Sequence, residues 1–287
     1  MDLAERLARA PRAAPVDPEA APYAGGPDDG APVLVLHGFT GSPYAMRPWG
    51  EHLAARGFRV VLPRLPGHGT SWRELNVTGW QDWYACVERA LLTLTDTTGR
   101  PAGVAGLSMG GALALRLAER HPDRVTGLAL VNPVINITDP RIRVLRWIRL
   151  LTPSLAGIAG DIADPDAPEG GYARNPLHAL YSQSRLWAAV RDDLGAVTAP
   201  LLVYRSRQDH VADASSVELI RERTASLDRT FEVLHRSYHV ATLDFDAGTI
   251  FDGSVELFAR VGRVSTWVDA GTSLRRGRGD GGAGRRP

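Results

Sequence analysis

The sequence contains no lysine; all 33 of its basic residues are arginines. A chain without lysine cannot form a lysine Schiff base, run a Ser–Lys dyad or close a Walker-type phosphate loop. It has one cysteine, Cys86, so it can build neither an intrachain disulfide nor a cysteine-rich zinc site. Long apolar runs are missing too. No stretch reaches the ~18 uninterrupted apolar residues of a membrane span. Glu5, Arg6, Arg9 and Arg12 break up the Ala- and Pro-rich N-terminus before the apolar core of a signal peptide can develop. A cytoplasmic location is therefore expected. A charge excess is also lacking, since the formal net charge is +1. Arg275, Arg276, Arg278, Arg285 and Arg286 against Asp280 put about +4 on the C-terminal tail and leave about −3 elsewhere. The body thus lacks the basic surface that nucleic acid demands, and no nucleic-acid partner is expected.

What remains is ordinary globular material. The 287 residues are 44% apolar, with seven Trp, seven Tyr and six Phe, enough for one large core. From residue 32 onward, short apolar runs alternate with amphipathic stretches. The runs begin at Val33, Val60, Val104, Leu128, Leu201 and Phe231, each three or four residues of mainly Val, Leu and Ala. Such runs suit strands buried on both faces of a parallel sheet. Residues 80–95, 110–121, 214–226 and 249–261 carry helical patterns between them. The alternation predicts an α/β protein, a mainly parallel sheet flanked by helices, with chemistry at the carboxyl ends of the strands.

One interval breaks the rhythm. Between Asn132 and Pro200 no strand-like run occurs, while 141–151 and 176–194 look helical and 157–171 is rich in Gly, Asp and Pro. This reads as a small helical cap inserted before the acid-bearing strand. The expected organisation is a flexible N-terminal segment over 1–31, a core over 32–133 and 196–268, a cap over 134–195, and a disordered Arg- and Gly-rich tail over 269–287.

The sharpest motif is Gly106-Leu107-Ser108-Met109-Gly110-Gly111, between a strand-like run and a helical pattern. A serine at such a strand-to-helix turn takes a strained conformation that exposes its hydroxyl, and small residues two before and two after permit the close approach. Together with HGFTGSP at 37–43, PRLPGHG at 63–69, GLSMGG at 106–111 and SYHVATLD at 237–244, it resembles the α/β-hydrolase superfamily. Within that superfamily, the four motifs resemble the small bacterial carboxylesterases and monoacylglycerol lipases over residues 32–262. The resemblance implies the α/β-hydrolase fold and serine ester hydrolysis of short- to medium-chain carboxylesters or monoacylglycerols.

The superfamily's chain order of nucleophile, acid and base then points to Ser108, Asp209 and His239. Asp209 follows the strand-like run at 201–204, whereas the position after the preceding strand holds Asn132, which cannot ionise. The plainer role for Asp209 is a turn or cap ahead of the 214–226 helix. Of eight histidines, His239 lies in a loop long enough to reach the elbow. His235 comes too early, His210 adjoins the acid, and His37 and His68 sit in Gly-flanked loops that they would brace. The oxyanion hole is expected from the backbone N–H groups of Phe39 and Met109.

No metal or organic cofactor is expected. The expected partner is a small apolar ester, with the chain acting as a monomer or homodimer. The arginines at 141, 143, 146 and 149, interleaved with apolar residues, leave peripheral lipid contact through the cap open, without stable membrane insertion. An Asp nucleophile is absent, which speaks against haloalkane dehalogenase and epoxide hydrolase chemistry. Thioesterases, carbon–carbon hydrolases, cofactor-free haloperoxidases and a non-catalytic ligand-binding protein remain alternatives.

Overall fold

The computed structural model describes residues 14–157, 160–167 and 170–276, with side chains as far as residue 262. Nine strands appear among these: β1 Tyr23–Gly25, β2 Ala31–Leu36, β3 Phe58–Leu62, β4 Ala102–Leu107, β5 Val125–Val131, β6 Ser154–Ala156, β7 Arg174–Pro176, β8 Leu201–Ser206 and β9 Arg229–Leu234. The α-helices are α1 Arg47–Ala55, α2 Trp72–Leu75, α3 Trp80–Thr98, α4 Met109–Arg120, α5 Arg141–Leu151, α6 Leu177–Asp193, α7 Ser215–Arg223 and α8 Ala247–Arg276. Seven strands form one sheet in the order β1-β3-β2-β4-β5-β8-β9, parallel throughout except for antiparallel β1.

The apolar runs become strands because both faces of the sheet are covered. Successive side chains alternate between two cores. Leu34, Leu36, Val104, Leu128, Leu130 and Val203 pack on one face, against Trp83, Val87 and Leu91 of α3 and most of α4. Val33, Val35, Ala105, Leu107, Val131 and Tyr204 pack on the other, against Trp49 and Leu53 of α1 and Phe258 and Val261 of α8. In α3 the buried residues recur at Trp83, Val87, Leu91 and Leu94, one helical stripe, and Gly99 at φ 63° terminates the helix in the left-handed region.

Three expectations need correction. The N-terminal segment, read as flexible to residue 31, is ordered well before that. Asp17 N–H bonds Gly69 O at 2.9 Å, and Tyr23–Gly25 pairs with Val60–Leu62 as an edge strand. Three residues are too short for alternation to register in sequence. The strand at 229–234 is not buried on both faces, because it is the far edge of the sheet and Glu232 and Val233 face solvent. At the C-terminus, α8 runs to Arg276, so it extends past residue 268, where the disordered tail was expected to begin; residues 277–287 and 1–13 lie outside the described residues. No helix of the described residues is long and apolar enough to cross a membrane.

The interval between β5 and β8 contains α5 and α6, as its helical patterns suggest, but also an antiparallel pair of three-residue strands, β6 and β7. Polar side chains fasten this cap to the core. Tyr172 donates its hydroxyl to Gly67 O at 2.9 Å and accepts from Thr70 N–H at 2.8 Å, which ties the cap to the loop after β3. The buried Asp244 carboxylate accepts from the Ala163 and Asp164 amides of the cap at 2.8 and 3.2 Å, and from Tyr238 N–H at 2.9 Å. One carboxylate thus joins the cap to the loop that carries His239. Phe245 N–H donates to the same carboxylate at 2.8 Å, so replacing Asp244 with Ala strands four amides and should cost at least about 1–3 kcal/mol. Hydrogen exchange should then show the Ala163, Asp164 and Tyr238 amides losing protection while the central strands keep theirs; uniform loss would refute this local clasp.

Candidate active site

The elbow follows from steric necessity. Ser108 sits at φ 57° and ψ −115°, between the end of β4 and the start of α4. A non-glycine residue in the positive-φ region costs of order 1–3 kcal/mol and persists only when its surroundings enforce it. Here Ser108 N–H bonds Val131 O at 3.0 Å, while its carbonyl accepts from the Gly111, Ala112 and Val134 amides. The turn is so tight that a Cβ on Gly106 would lie 2.5 Å from the Gly110 carbonyl, and one on Gly110 would lie 2.2 Å from Leu36 O. Ser108 is 7% exposed and lines a cavity of about 710 Å³ roofed by the cap, well within the roughly 300–1,000 Å³ of small-molecule sites.

Asp209 and His239 come together in the same cavity wall. Asp209 lies in the loop after β8, and its Oδ2 meets His239 Nδ1 at 2.8 Å. Its Oδ1 accepts from the Val211 and Ala212 amides at 2.9 and 2.8 Å. Burial pushes the Asp209 carboxyl pKa up, but charge and hydrogen bonding from His239, with the two amides, outweigh it and hold the pKa below the ordinary range. The group is therefore an anion aimed at the imidazole, which leaves His239 Nε2 for the substrate side. His210, next in sequence, turns away to Asp161 at 2.7 Å, and His235 is exposed directly after β9.

The loop after β2 supplies Phe39. A Cβ on Gly38 would lie 3.3 Å from Ser108 Cβ, so this backbone passes directly over Ser108. His37 braces it: Nδ1–H donates to Gly38 O at 3.0 Å, and Nε2 accepts Leu65 N–H at 3.2 Å. Burial lowers the His37 pKa from 6.5 to about 4, so the ring is neutral and can accept. His68 packs edge-on against it at 4.9 Å, its own pKa well below normal through burial and then through His37. Phe39 packs on His68 and Trp83 and also lines the cavity. The Met109 side chain is fully buried. Its amide opens α4 and belongs to the first-turn N–H groups that have no intrahelical acceptor.

Residues that the motifs do not reveal complete the site. Asn132, at φ 44° after β5, donates Nδ2 to His239 O at 2.8 Å and accepts Ser206 N–H at 2.7 Å. It therefore occupies the alternative acid position as a buried bridge between the end of β8 and the loop that carries His239. Asp161 of the cap accepts from the His239 amide at 3.2 Å and the His210 amide at 3.1 Å. Asn132 was legible as a non-ionisable residue at that position; Asp161 had no sequence signal. Among the described residues no group of three or more His, Cys, Asp or Glu side chains could hold a metal ion.

The neutral His37 and His68 make stability depend on pH with a definite sign. Both rings have folded pKa values below the unfolded 6.5, so the unfolded chain takes up protons first. Stability is full above pH 6.5 and falls as pH drops toward 4, where His37 also protonates in the fold, at up to about 1.4 kcal/mol per pH unit for each ring. The melting temperature should decline across that window, with a smaller slope in His68→Gln. A flat profile between pH 7 and 5 contradicts the neutral pair.

A family profile described as alpha/beta hydrolase fold matches residues 31–146. A thermostable monoacylglycerol lipase from Bacillus sp. (strain H-257) is 38% identical over 229 residues, covering 79% of this chain and 90% of that protein. A carboxylesterase from Bacillus subtilis (strain 168) is 27% identical, covering 80% and 92%. Among solved structures, one reported for the metagenome-derived lipolytic enzymes LipS and LipT superimposes with a TM-score of 0.81 at 34% identity, covering 86% of this chain and all of that one. With its serine elbow, its sheet order and these relatives, the chain belongs to the α/β-hydrolase family.

Proposed function

We propose that this serine carboxylic-ester hydrolase works through an acyl-enzyme on Ser108, with His239 as general base and acid and Asp209 as its orienting anion. The observation that carries the reading is the 2.8 Å pairing of Asp209 Oδ2 with His239 Nδ1 in the wall of the cavity into which the strained Ser108 opens. In the first half-reaction, His239 Nε2 accepts the Ser108 proton as Oγ attacks the ester carbonyl. The Phe39 and Met109 amides hold the oxyanion; loss of one such donor typically costs about 3 kcal/mol in the barrier. When the carbon–oxygen bond to the alcohol breaks, the imidazolium protonates the departing oxygen. In the second half, His239 takes a proton from water, the hydroxide attacks the acyl carbonyl, and the proton returns to Ser108 Oγ as the acid leaves. Asp209 fixes the tautomer and stabilises the charged imidazole throughout.

Val134, Ile137, Ile142, Leu180 and Leu243 line the cavity, so an apolar substrate portion gains hydrophobic stabilisation there. Together with the similarity to a monoacylglycerol lipase, this favours apolar carboxylesters or monoacylglycerols over highly polar substrates. The structure test is turnover of p-nitrophenyl esters from two to sixteen carbons and of monoacylglycerols. Ser108→Ala should lower kcat by at least about 10³-fold at unchanged melting temperature, and retained turnover removes Ser108 from the mechanism.

The cap's outer surface supports peripheral contact with lipid. In α5 only Leu145 is buried; Val144, Trp147 and Leu151 form an exposed stripe at i, i+3 and i+7, with Leu150 beside it and Leu155 exposed just beyond. Arg143 and Arg146 flank that stripe, the pattern of a helix that lies on an anionic interface. Replacing Trp147 and Leu151 together with Ser should slow hydrolysis of monoacylglycerol held in anionic vesicles several-fold, without slowing hydrolysis of soluble p-nitrophenyl butyrate. Equal effects on both substrates would refute the interfacial role.

A further inference from the structure

Asp209 and His239 stand on separate loops, one after β8 and one after β9, 30 residues apart in the chain. Beside their 2.8 Å contact lies a second pair of the same kind, in which His210 Nδ1 meets Oδ1 of the cap residue Asp161 at 2.7 Å. The other oxygen of that carboxylate reaches both loops at once: Asp161 Oδ2 accepts the His210 amide at 3.1 Å and the His239 amide at 3.2 Å. The Asp161 carbonyl accepts Val240 N–H at 3.0 Å. The His210 ring stands edge-on to Tyr238, with centroids 4.7 Å apart. Residues 238, 239 and 240 are therefore each engaged by the Asp161–His210 unit. The Asp161 side chain is 8% exposed, and His210 is its one ion-pair partner among the described residues. A carboxylate so nearly buried is costly unless its oxygens are hydrogen-bonded, and here two loops supply the donors. Fastening of the cap does not explain the arrangement, since Tyr172 and Asp244 already tie the cap to the core. What Asp161 adds is a fixed separation between the two loops.

We infer that Asp161 is a positioning residue for the reaction: from the cap, it sets the His239 loop against the Asp209 loop so that the imidazole serves Asp209 and Ser108 together. The inference rests on the ester-hydrolase reading above, in which His239 accepts and returns a proton in each half-reaction. A misplacement of about 1 Å in such a group can cost about 10²-fold in rate. The Asp209 contact does not prevent it, because a bond to Nδ1 fixes one point of the ring and a shift of the loop still swings Nε2 away from Ser108. Asn132 holds the His239 carbonyl from the core, and Asp161 holds the amide from the cap. Because Asp161 belongs to the cap, His239 is fully held only while that part of the cap is seated, and cap seating is thereby linked to the competence of the base. The role is that of an acceptor rather than of a charge. Backbone N–H groups and an imidazole N–H require only an oxygen to donate to. Asparagine therefore substitutes for Asp161: its Oδ1 accepts the two amides, and its NH₂ donates to the His210 ring in the other tautomer. Alanine keeps none of these bonds.

The experiment compares Asp161→Ala, Asp161→Asn and His210→Phe with the wild-type chain, using p-nitrophenyl butyrate as a soluble ester. Asp161→Ala should lower kcat about 10-fold or more while KM changes less than about 2-fold. Asp161→Asn should keep kcat within about 3-fold of the wild type. His210→Phe retains a ring against Tyr238 and both amide bonds and removes only the bond to Oδ1, so its kcat should fall by less than that of Asp161→Ala. A second readout is independent of turnover. The Nδ1 proton between His239 and Asp209 gives a proton NMR signal far downfield of the amides. Loosening the loop exposes that proton to exchange with water, so Asp161→Ala should broaden or abolish the signal and Asp161→Asn should keep it. If Asp161→Ala fails to fold, His210→Phe decides: a lowered kcat with a broadened signal supports the role, and no change in either overturns it. With folded Asp161→Ala, an unchanged kcat and signal, a loss confined to KM, or equal damage by Asn and Ala each overturns the positioning role and leaves the hydrolase reading intact. A wild type without turnover, whose downfield signal still depends on Asp161, overturns the hydrolase reading and leaves the placement of His239 by Asp161 standing.

Discussion

Ser108 is held in a backbone conformation that an L-residue avoids, and much of the surrounding architecture exists to hold it there. At φ 57° its hydroxyl is thrown off the end of the sheet into the cavity, and its amide and carbonyl are held by β5, α4 and the segment after β5. The strain is tolerable because β4 and α4 approach more closely than side chains would allow at Gly106 and Gly110. That approach requires both to be buried, and so it requires the two apolar cores on the sheet's faces. The placement of Ser108 at the cavity is thus a consequence of core packing several residues away from it.

The loop at 237–244 is held by a different principle. His239 lies in a loop, and loops lack the cooperative hydrogen bonding of helix or sheet. Polar side chains take over that work: Asn132 grips its carbonyl, Asp161 its amide, Asp209 its ring, and Asp244 the amide of the residue before it. Two of these four, Asp161 and Asp244, also tie the loop to the cap, since Asp161 belongs to the cap and Asp244 binds the Ala163 and Asp164 amides. The cap is therefore part of the apparatus that orients His239 as well as a cover over the cavity. On the opposite wall, the neutral pair His37 and His68 gives the loop carrying Phe39 a comparable rigidity, and the bond that His37 accepts from Leu65 N–H survives only while His37 remains uncharged.

Much of this was legible in the sequence, for reasons that differ from residue to residue. The central strands declared themselves because burial on both faces forces nearly every residue to be apolar, as at Val33–Leu36 and Leu128–Val131. Helix α3 declared itself through the stripe from Trp83 to Leu94. Position after a strand pointed to Asp209, and Asn132 was set aside because it cannot carry a charge. Strands β1, β6 and β7 were illegible because three residues do not establish a period. The edge strand β9 was misread as buried because composition cannot distinguish the last strand of a sheet from an inner one.

The sequence by itself determined the alternation of strand and helix and the serine elbow, because each is set by local sterics or by a short pattern of residue types. Only the tertiary structure decided which acidic residues serve which loop. Asp161 and His239 are 78 residues apart, and Asp244 meets Ala163 across 81; nothing periodic links such partners along the chain. It also decided that Gln183 and Trp187 line the cavity, since a helix pattern shows which residues share a face but not what lies opposite. Long-range hydrogen bonding is the product of the completed packing, and no local rule of sequence encodes it.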